Sequence, residues 1–410
     1  MDELLNKTKL ATKSLQKLNE AEINKLLKNI AIALDKNRKL IISENEKDIK
    51  EARLNNLKES MIERLTLNDK RIDSLITSIN ELIELPYLIG ETIEEWTSPK
   101  GFNIKKIRVP FGVIGAIFES RPNVSVDIAT MTLKAGSACV LKGGKEAINS
   151  NKVLVQVMQD AIKDMVDPNV ITLIPSTDRK VTDELITKKG LIDLLIPRGS
   201  KNLIDYVTQN AKIPYIETGA GNCHLYIEAS ADLDMALNIA VNAKYQRPSV
   251  CNAIETILVD DKIKDKFLPI LAKKFNELNI EMRGCEKTRS VINCNIATED
   301  DYYKEYNDYI CAIKVVDNVD EAIAHISKYS TKHSESIVTN NEEAKNKFFK
   351  ELDSACLYHN VSTRFTDGGC FGFGAEIGIS TTKLHARGPM GIKEITTYKY
   401  IISGNGEVRD

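Results

Sequence analysis

The chain has 410 residues, 42% apolar and 28% charged, with 56 Lys and Arg against 58 Asp and Glu, a formal charge of −2. That length supports two or three domains with their own cores, and the near balance of charge excludes a dedicated nucleic-acid binder, whose phosphate contacts need a basic excess. No apolar run approaches the roughly 20 residues that cross a bilayer, and Met1–Lys7 shows no basic stretch followed by an apolar one, so the expectation is a cytoplasmic protein without membrane or nucleic-acid partners.

Residues 1 to about 86 carry helical periodicity. Ile23, Leu26, Leu27, Ile30 and Leu34 form one stripe, Ile72, Leu75, Ile76, Ile79, Leu82 and Ile83 another, and Pro86 closes the second. Loose alternation on either side of Ser98-Pro99-Lys100-Gly101 predicts a β-hairpin between 92 and 109. Short apolar runs follow at Val113–Phe118, Ala138–Leu141, Val170–Ile174, Ile192–Ile196 and Tyr215–Ile216, separated by helical segments. Five buried strands alternating with helices imply a parallel sheet covered on both faces, whose ligands bind outside the carboxyl ends of the strands. A second α/β unit has strand signals at Leu225–Ile227, Glu255–Val259, Ile310–Val316, Ser336–Thr339 and Ala355–His359, and Thr396–Ile402 reads as a last strand. The fold class is α/β, with two doubly wound parallel sheets.

Eight cysteines lie in the last two-thirds of the chain with neither a CxxC pair nor zinc-ligand spacing, so no metal is expected and most thiols should be small buried hydrophobes. Cys251 is the exception. Gln246-Arg247-Pro248 breaks a helix ahead of it, which leaves the thiol in a turn beside a cation that favours thiolate; the competing reading is a packing cysteine. Glu217, followed by Thr218-Gly219-Ala220-Gly221, is placed to act as acid or base or to cap its own loop. Glycine loops after two strands, Lys142-Gly143-Gly144-Lys145 and Arg198-Gly199-Ser200-Lys201, lead into helices whose free N–H groups can accept phosphate, or are simple tight turns. Arg121, Arg364 and Arg387 sit in turn-rich loops and suit an anionic substrate or surface ion pairs.

Val109–Gly115, Glu119–Val124, Gln246–Asn252, Ser362–Gly374 and Leu384–Met390 together resemble the gamma-glutamyl phosphate reductases, a branch of the aldehyde dehydrogenase superfamily. The resemblance runs from about residue 10 to the C-terminus. It implies NADPH-dependent reduction of L-glutamate 5-phosphate to the 5-semialdehyde and phosphate, the second step of proline synthesis from glutamate. Carried over residue by residue, it implies Cys251 as nucleophile, Glu217 as the superfamily's active-site glutamate and Asn123 as oxyanion donor. Lys142 would hold the adenosine ribose and meet a 2′-phosphate, Gly199-Ser200 would open the cofactor helix, and Glu305 would grip the nicotinamide ribose. Arg121 and Arg364 would hold substrate anions. The implied domains are 1–224 for N-terminal helices and cofactor, interrupted by an oligomerisation hairpin at about 92–108, then 225–384 for catalysis, and 385–410 for the return and oligomerisation strand. A homo-oligomer, dimer or larger, is expected; glutamate 5-kinase is a possible partner, and the sequence leaves open whether the two associate. Two other readings are an oxidative, hydrolytic aldehyde dehydrogenase acting on a small anionic aldehyde, and a non-catalytic partner of the kinase. Cys251 in its Arg-Pro-Ser-Val setting argues against the latter.

Overall fold

The helical stripes of the first 86 residues fold as five helices in the computed structural model, which describes residues 1–409 apart from the side chain of Ser60. Asn19 starts the helix Glu20–Lys36 with a capping box: its side chain accepts from Glu22 N, and Glu22 returns a carboxylate to Asn19 N. Ile23, Leu26, Leu27, Ile30 and Leu34 are all fully buried, so the apolar stripe is the packing face. The helix Asp69–Glu84 begins at an Asn68 cap and ends ahead of Pro86.

The chain divides into two compact units, Met1–Thr218 with Gly372–Gly378 and Met390–Asp410, and Gly219–Phe371 with Ile379–Pro389. The division falls after Thr218 rather than after residue 224, and most of the tail belongs with the first unit.

In the first unit, β1 (Thr92–Thr97), β2 (Asn103–Pro110) and the tail strand, numbered β16 below, form an antiparallel sheet. A separate four-stranded sheet contains β3 (Val113–Phe118), β4 (Ala138–Lys142), β5 (Ile171–Leu173) and β6 (Leu194–Arg198) in the order β5-β4-β3-β6, all parallel. Val113, Val140 and Leu195 in these strands pack with Leu5 of the first helix and Ile174, Ile186 and Val207 into one core. The strand expected at Tyr215–Ile216 does not form. Pro214 precedes it and lacks a donor N–H, and Tyr215 makes only an isolated bridge to Leu195.

The second unit holds β7 (Cys223–Ile227), β8 (Ile254–Asp260), β9 (Glu281–Gly284), β10 (Asn295–Ile296), β11 (Ile310–Val316), β12 (Ser334–Val338) and β13 (Cys356–His359). Their order is β10-β9-β11-β8-β7-β12-β13, parallel throughout. Apolar side chains of β7, β8 and β11 meet the helices Leu233–Tyr245 and Lys264–Glu277 on one face and Val319–Tyr329 and Glu342–Glu351 on the other. Short strands β14 (Gly378–Ser380) and β15 (Gly388–Met390) precede β16 (Thr396–Ser403). Strands β9 and β10 were not signalled by sequence because they are two to four residues long and mostly polar. Among the described residues no helix is long and apolar enough to cross a membrane.

His325 is buried in the second unit, 4.3 Å from the ring of Tyr329 and 4.9 Å from that of Tyr302, and neither ring nitrogen has a partner among the described residues. Burial pushes its pKa down to about 2, with His224, Lys314 and Lys328 acting in the same direction. An unfolded histidine takes up a proton below about 6.5 while the folded one resists until about 2, so stability is lost as pH falls through 6.5. His325→Phe keeps the ring packing and removes the titration. Between pH 7.5 and 5 the variant should gain about 2 kcal/mol relative to wild type, at about 1.4 kcal/mol per pH unit; paired thermal melts at the two pH values measure it.

Candidate active site

In the first unit the chemistry-bearing residues line the carboxyl ends of β3, β4 and β6, where a parallel sheet places its ligands. Lys142 closes β4 with its side chain only 6% exposed, and its amine donates to Gly143 O at 3.1 Å. Burial lowers its pKa, and Glu146 and Asp178 favour its charge without an ion pair among the described residues. A buried ammonium with so few acceptors fits ribose hydroxyls or a phosphate.

Beyond β6, Ser200 caps the helix Lys201–Asn210. The orphan N–H of Ser200 is already taken by Glu119 Oε2 at 2.7 Å, and the Ser200 hydroxyl lies 3.3 Å from Glu119 Oε1. A Cβ at Gly199 would fall 2.5 Å from Glu119 Oε2, so a side chain there would push that carboxylate aside. A carboxylate at a helix N-terminus is favourable, so this anion site is occupied by the chain's own side chain.

After β3 the backbone turns sharply at Ser120, whose φ of 44° is left-handed. Glu146 Oε1 holds that turn by accepting from both the N–H and the hydroxyl of Ser120 at 2.7 Å. Arg121 lies in the same turn, half-buried, with its carbonyl accepting from Val124 N. Asn123 opens the helix Asn123–Lys134 and donates one amide hydrogen to Asp127 Oδ2 at 2.9 Å. Burial pushes Asp127 up to about 6, against the Asn123 bond and the Arg198 charge. Glu217 is half-buried beyond the Tyr215 bridge, and burial followed by repulsion from Asp205 raises its pKa.

In the second unit the reactive end of the sheet is the opposite one. Cys251 precedes β8, so it sits at the amino ends of the parallel strands, in the loop that follows the helix Leu233–Tyr245. Its side chain is half-exposed, unlike the buried Cys139, Cys223, Cys311 and Cys356. Cys285 and Cys294 are also half-exposed and Cys370 is exposed, so half of the thiols, fewer than expected, are fully buried. The Cys251 backbone is gripped closely: the Cys223 thiol donates to Cys251 O at 3.1 Å, and a Cβ on Gly221 would lie 1.4 Å from the same oxygen. Gly221 N donates to Glu305 Oε1 at 2.8 Å, which ties the carboxylate expected on the nicotinamide ribose to the support of the Cys251 loop. Asn222 is anchored beside it, its amide donating to Tyr302 O and Tyr329 O.

Asn252, 4% exposed, extends the grip. Its amide donates to Thr366 O at 2.8 Å, and its carbonyl accepts from Thr363 Oγ1 at 2.7 Å. Arg364, expected to hold substrate, is engaged within the loop: Nε donates to Gln246 Oε1 at 3.1 Å and Nη1 to Asn252 Oδ1. Arg387 pairs with Asp353 at 2.8 Å, the surface ion pair among its two readings. Among the described residues no group of three His, Cys, Asp or Glu side chains converges as metal ligands. Gly221, Cys223 and Asn252 were not singled out by sequence because each acts through a contact with backbone distant in the chain.

The model of the aldehyde dehydrogenase family matches residues 1–293. The chain is 50% identical over its whole length to a gamma-glutamyl phosphate reductase of Dictyoglomus thermophilum, covering 99% of that protein. It is 49% identical to the corresponding protein of a Thermotoga species (strain RQ2), with all of both chains covered. The crystal structure of gamma-glutamyl phosphate reductase from Thermotoga maritima superposes with a TM-score of 0.97 at 48% identity, covering 100% of this chain and 99% of that one. An acetylating aldehyde dehydrogenase from Geobacillus thermoglucosidasius shares the fold, with a TM-score of 0.71 at 17% identity over 100% of this chain and 97% of that one.

The Gly221 contact generates a test. Gly221→Ala would drive a methyl group into the Cys251 carbonyl, and relief requires the nucleophile loop to move. Overpacking of this kind costs about 1–3 kcal/mol. Turnover should fall at least 100-fold while a stable fold persists in circular dichroism; full turnover would show that the loop has slack.

Proposed function

Because the chain belongs to the aldehyde dehydrogenase family, and within it to the gamma-glutamyl phosphate reductases, we propose that it reduces L-glutamate 5-phosphate to L-glutamate 5-semialdehyde and phosphate, the second step from glutamate to proline. The supporting observation is the half-exposed Cys251 thiol on a loop whose backbone is pinned by Gly221 and Cys223. A carboxylate resists hydride attack, whereas an acyl phosphate carries a good leaving group. Cys251 Sγ attacks the acyl carbon, the carbon–oxygen bond to phosphate breaks, and a thioester remains. A nicotinamide cofactor, when bound, supplies the hydride that reduces it. The C–S bond of the resulting thiohemiacetal then breaks, giving aldehyde and regenerating Cys251. The alternative of an oxidative, hydrolytic dehydrogenase is not favoured.

Each tetrahedral stage carries an oxyanion that needs a preorganised donor. Asn123 is the donor we assign, through the amide hydrogen not given to Asp127. The overall reduction consumes one proton. Glu217 is the group we assign to hold it, since its carboxyl stays protonated to higher pH than an ordinary glutamate. Arg121 is assigned to a substrate anion. Lys142, Gly199 and Ser200 are assigned to the cofactor, with NADPH preferred because Lys142 offers a buried cation to a 2′-phosphate. Glu305 keeps its second oxygen for the nicotinamide ribose.

The direct test is phosphate-dependent reduction of NADP by glutamate semialdehyde. Cys251→Ser should reduce turnover more than 1,000-fold with NADPH binding, followed by fluorescence, nearly intact. Wild type should show a kcat/KM at least 10-fold higher with NADPH than NADH, and Lys142→Ala should erase that ratio. Turnover by the Cys251 variant, or without phosphate, would remove the thioester route to the acyl phosphate.

A reducing cytoplasm suits the free thiol on which the reaction depends. Among the described residues strand β16 pairs with β2 on one side only, and Tyr398 and Tyr400 are about half exposed along it, Ile402 more so. Such an edge invites a second copy of the chain. Association with glutamate 5-kinase follows from the lability of acyl phosphates in water. Sedimentation should show a dimer or larger species and a faster one with the kinase added; a monomer at micromolar concentration, or an unchanged profile, would remove the respective association.

A further inference from the structure

The loop Gln246–Asn252 is supported from its buried side by a connected set of polar groups. The Cys223 thiol meets Cys251 O at 3.1 Å and lies 3.7 Å from His333 Nδ1, which pairs with Ser334 Oγ at 2.8 Å. Ser334 Oγ lies 2.6 Å from Thr366 Oγ1, and Thr366 O accepts from Asn252 at 2.8 Å. This ring carries no net charge. It fixes where the Cys251 backbone lies without supplying anything that would favour a thiolate.

The cation comes from the turn Thr363–Phe365. Arg364 spans the loop, donating from Nε to Gln246 at one end and from Nη1 to Asn252 at the other, so Cys251 lies within the stretch that one guanidinium brackets. A planar fork with fixed donor directions can hold two ends at once, which a lysine cannot. The side chain is half-buried. Burial disfavours its charge most; Arg247 opposes it as well, and Asp367 and the Cys251 and Cys370 thiols favour it. The influence is mutual: a thiol that favours the guanidinium charge is itself favoured as thiolate by that charge.

We infer that Arg364 is a positioning residue for the thioester chemistry, bracketing the nucleophile loop between Gln246 and Asn252 and biasing Cys251 toward the thiolate, rather than a group that grips the substrate. The inference rests on Cys251 being the nucleophile, and it replaces the substrate-binding role that the sequence suggested for Arg364.

Alkylation of Cys251 by iodoacetamide across pH 5–10, located by peptide mapping to separate it from Cys370, reads the thiolate without substrate or cofactor. Arg364→Met should move the midpoint upward by about one unit and slow alkylation near neutral pH roughly 10-fold. In turnover kcat should fall with the KM for acyl phosphate unchanged. Arg364→Lys should restore most of the midpoint but only part of kcat, because charge returns without the two-ended bracket. Gln246→Glu, at an exposed position, covers the case in which Arg364→Met does not fold. The new carboxylate keeps the bond to Nε while neutralising part of the cation, so the midpoint should again rise. A wild-type midpoint in either folded variant, or a raised KM with an unmoved midpoint, overturns the inference. If wild type alkylates as expected yet shows no phosphate-dependent NADP reduction, the proposed function falls while Arg364 is still judged by the alkylation profile.

Discussion

The carbonyl oxygen of Cys251 is the point on which the reactive geometry depends. It accepts from the Cys223 thiol and faces the bare Cα of Gly221, closer than any side chain would allow. Both partners belong to the entry into β7, the neighbour of β8. The ladder between these strands shifts register between Cys223 and His224, so one residue of β8, Glu255, is passed without a matching step on β7. That irregularity lies beside Cys251, while both strands are buried along their length. Cys251, although it lies in a loop, is thereby tied through its carbonyl to the entry of a buried strand.

The two sheets use different edges for different tasks, and the electrostatics of each edge explains why. In the first unit the strands run out into helix N-termini, where free N–H groups and the positive end of the dipole favour anions. In the second, Cys251 follows the C-terminus of the helix Leu233–Tyr245, where the dipole is negative and disfavours a thiolate. A nucleophile at such a place needs local cations to offset the dipole. Arg247 in the loop and Arg364 bracketing it are those cations; burial, and after it repulsion from Arg247, lowers the pKa of Arg364.

Much of this was legible in the residues. The helical stripes, the hairpin, most of the alternating strands and the exposed character of Cys251 follow from periodicity and from Arg247-Pro248 as a helix stop. What escaped was of two kinds. Tyr215–Ile216 looked apolar enough to be a strand, but a preceding proline and a single bridge left it outside the sheet, a tertiary override of local pattern. The partners of Cys251 escaped for another reason. Gly221 is 30 residues before it and Arg364 more than 100 after it in the chain, and only the pairing of β7 with β8 and the packing of the Thr363–Phe365 turn bring them to it. Glu305 and Arg364 were recognisable as functional types, yet each donates to or accepts from the protein's own loop, which no spacing reveals.

The anion sites of the first unit illustrate the same point with opposite consequence. Glu119 holds the N-terminus of the helix after β6, and Glu146 holds the turn after β3. Each gives a backbone donor the charge it would otherwise take from a ligand, and a hydrogen bond to an ionised group is worth about 1.5–3 kcal/mol. A cofactor phosphate that settles on Ser200 must therefore displace Glu119 and lose that amount from its binding, since two anions cannot share one N–H. Among the described residues the Lys142 amine donates only to the Gly143 carbonyl, while Glu146 and Asp178 favour its charge without an ion pair. If the cofactor binds as we propose, its recognition gains most from the buried cation, and the helix N-terminus, the more obvious phosphate cradle in the sequence, contributes only the difference between two anions.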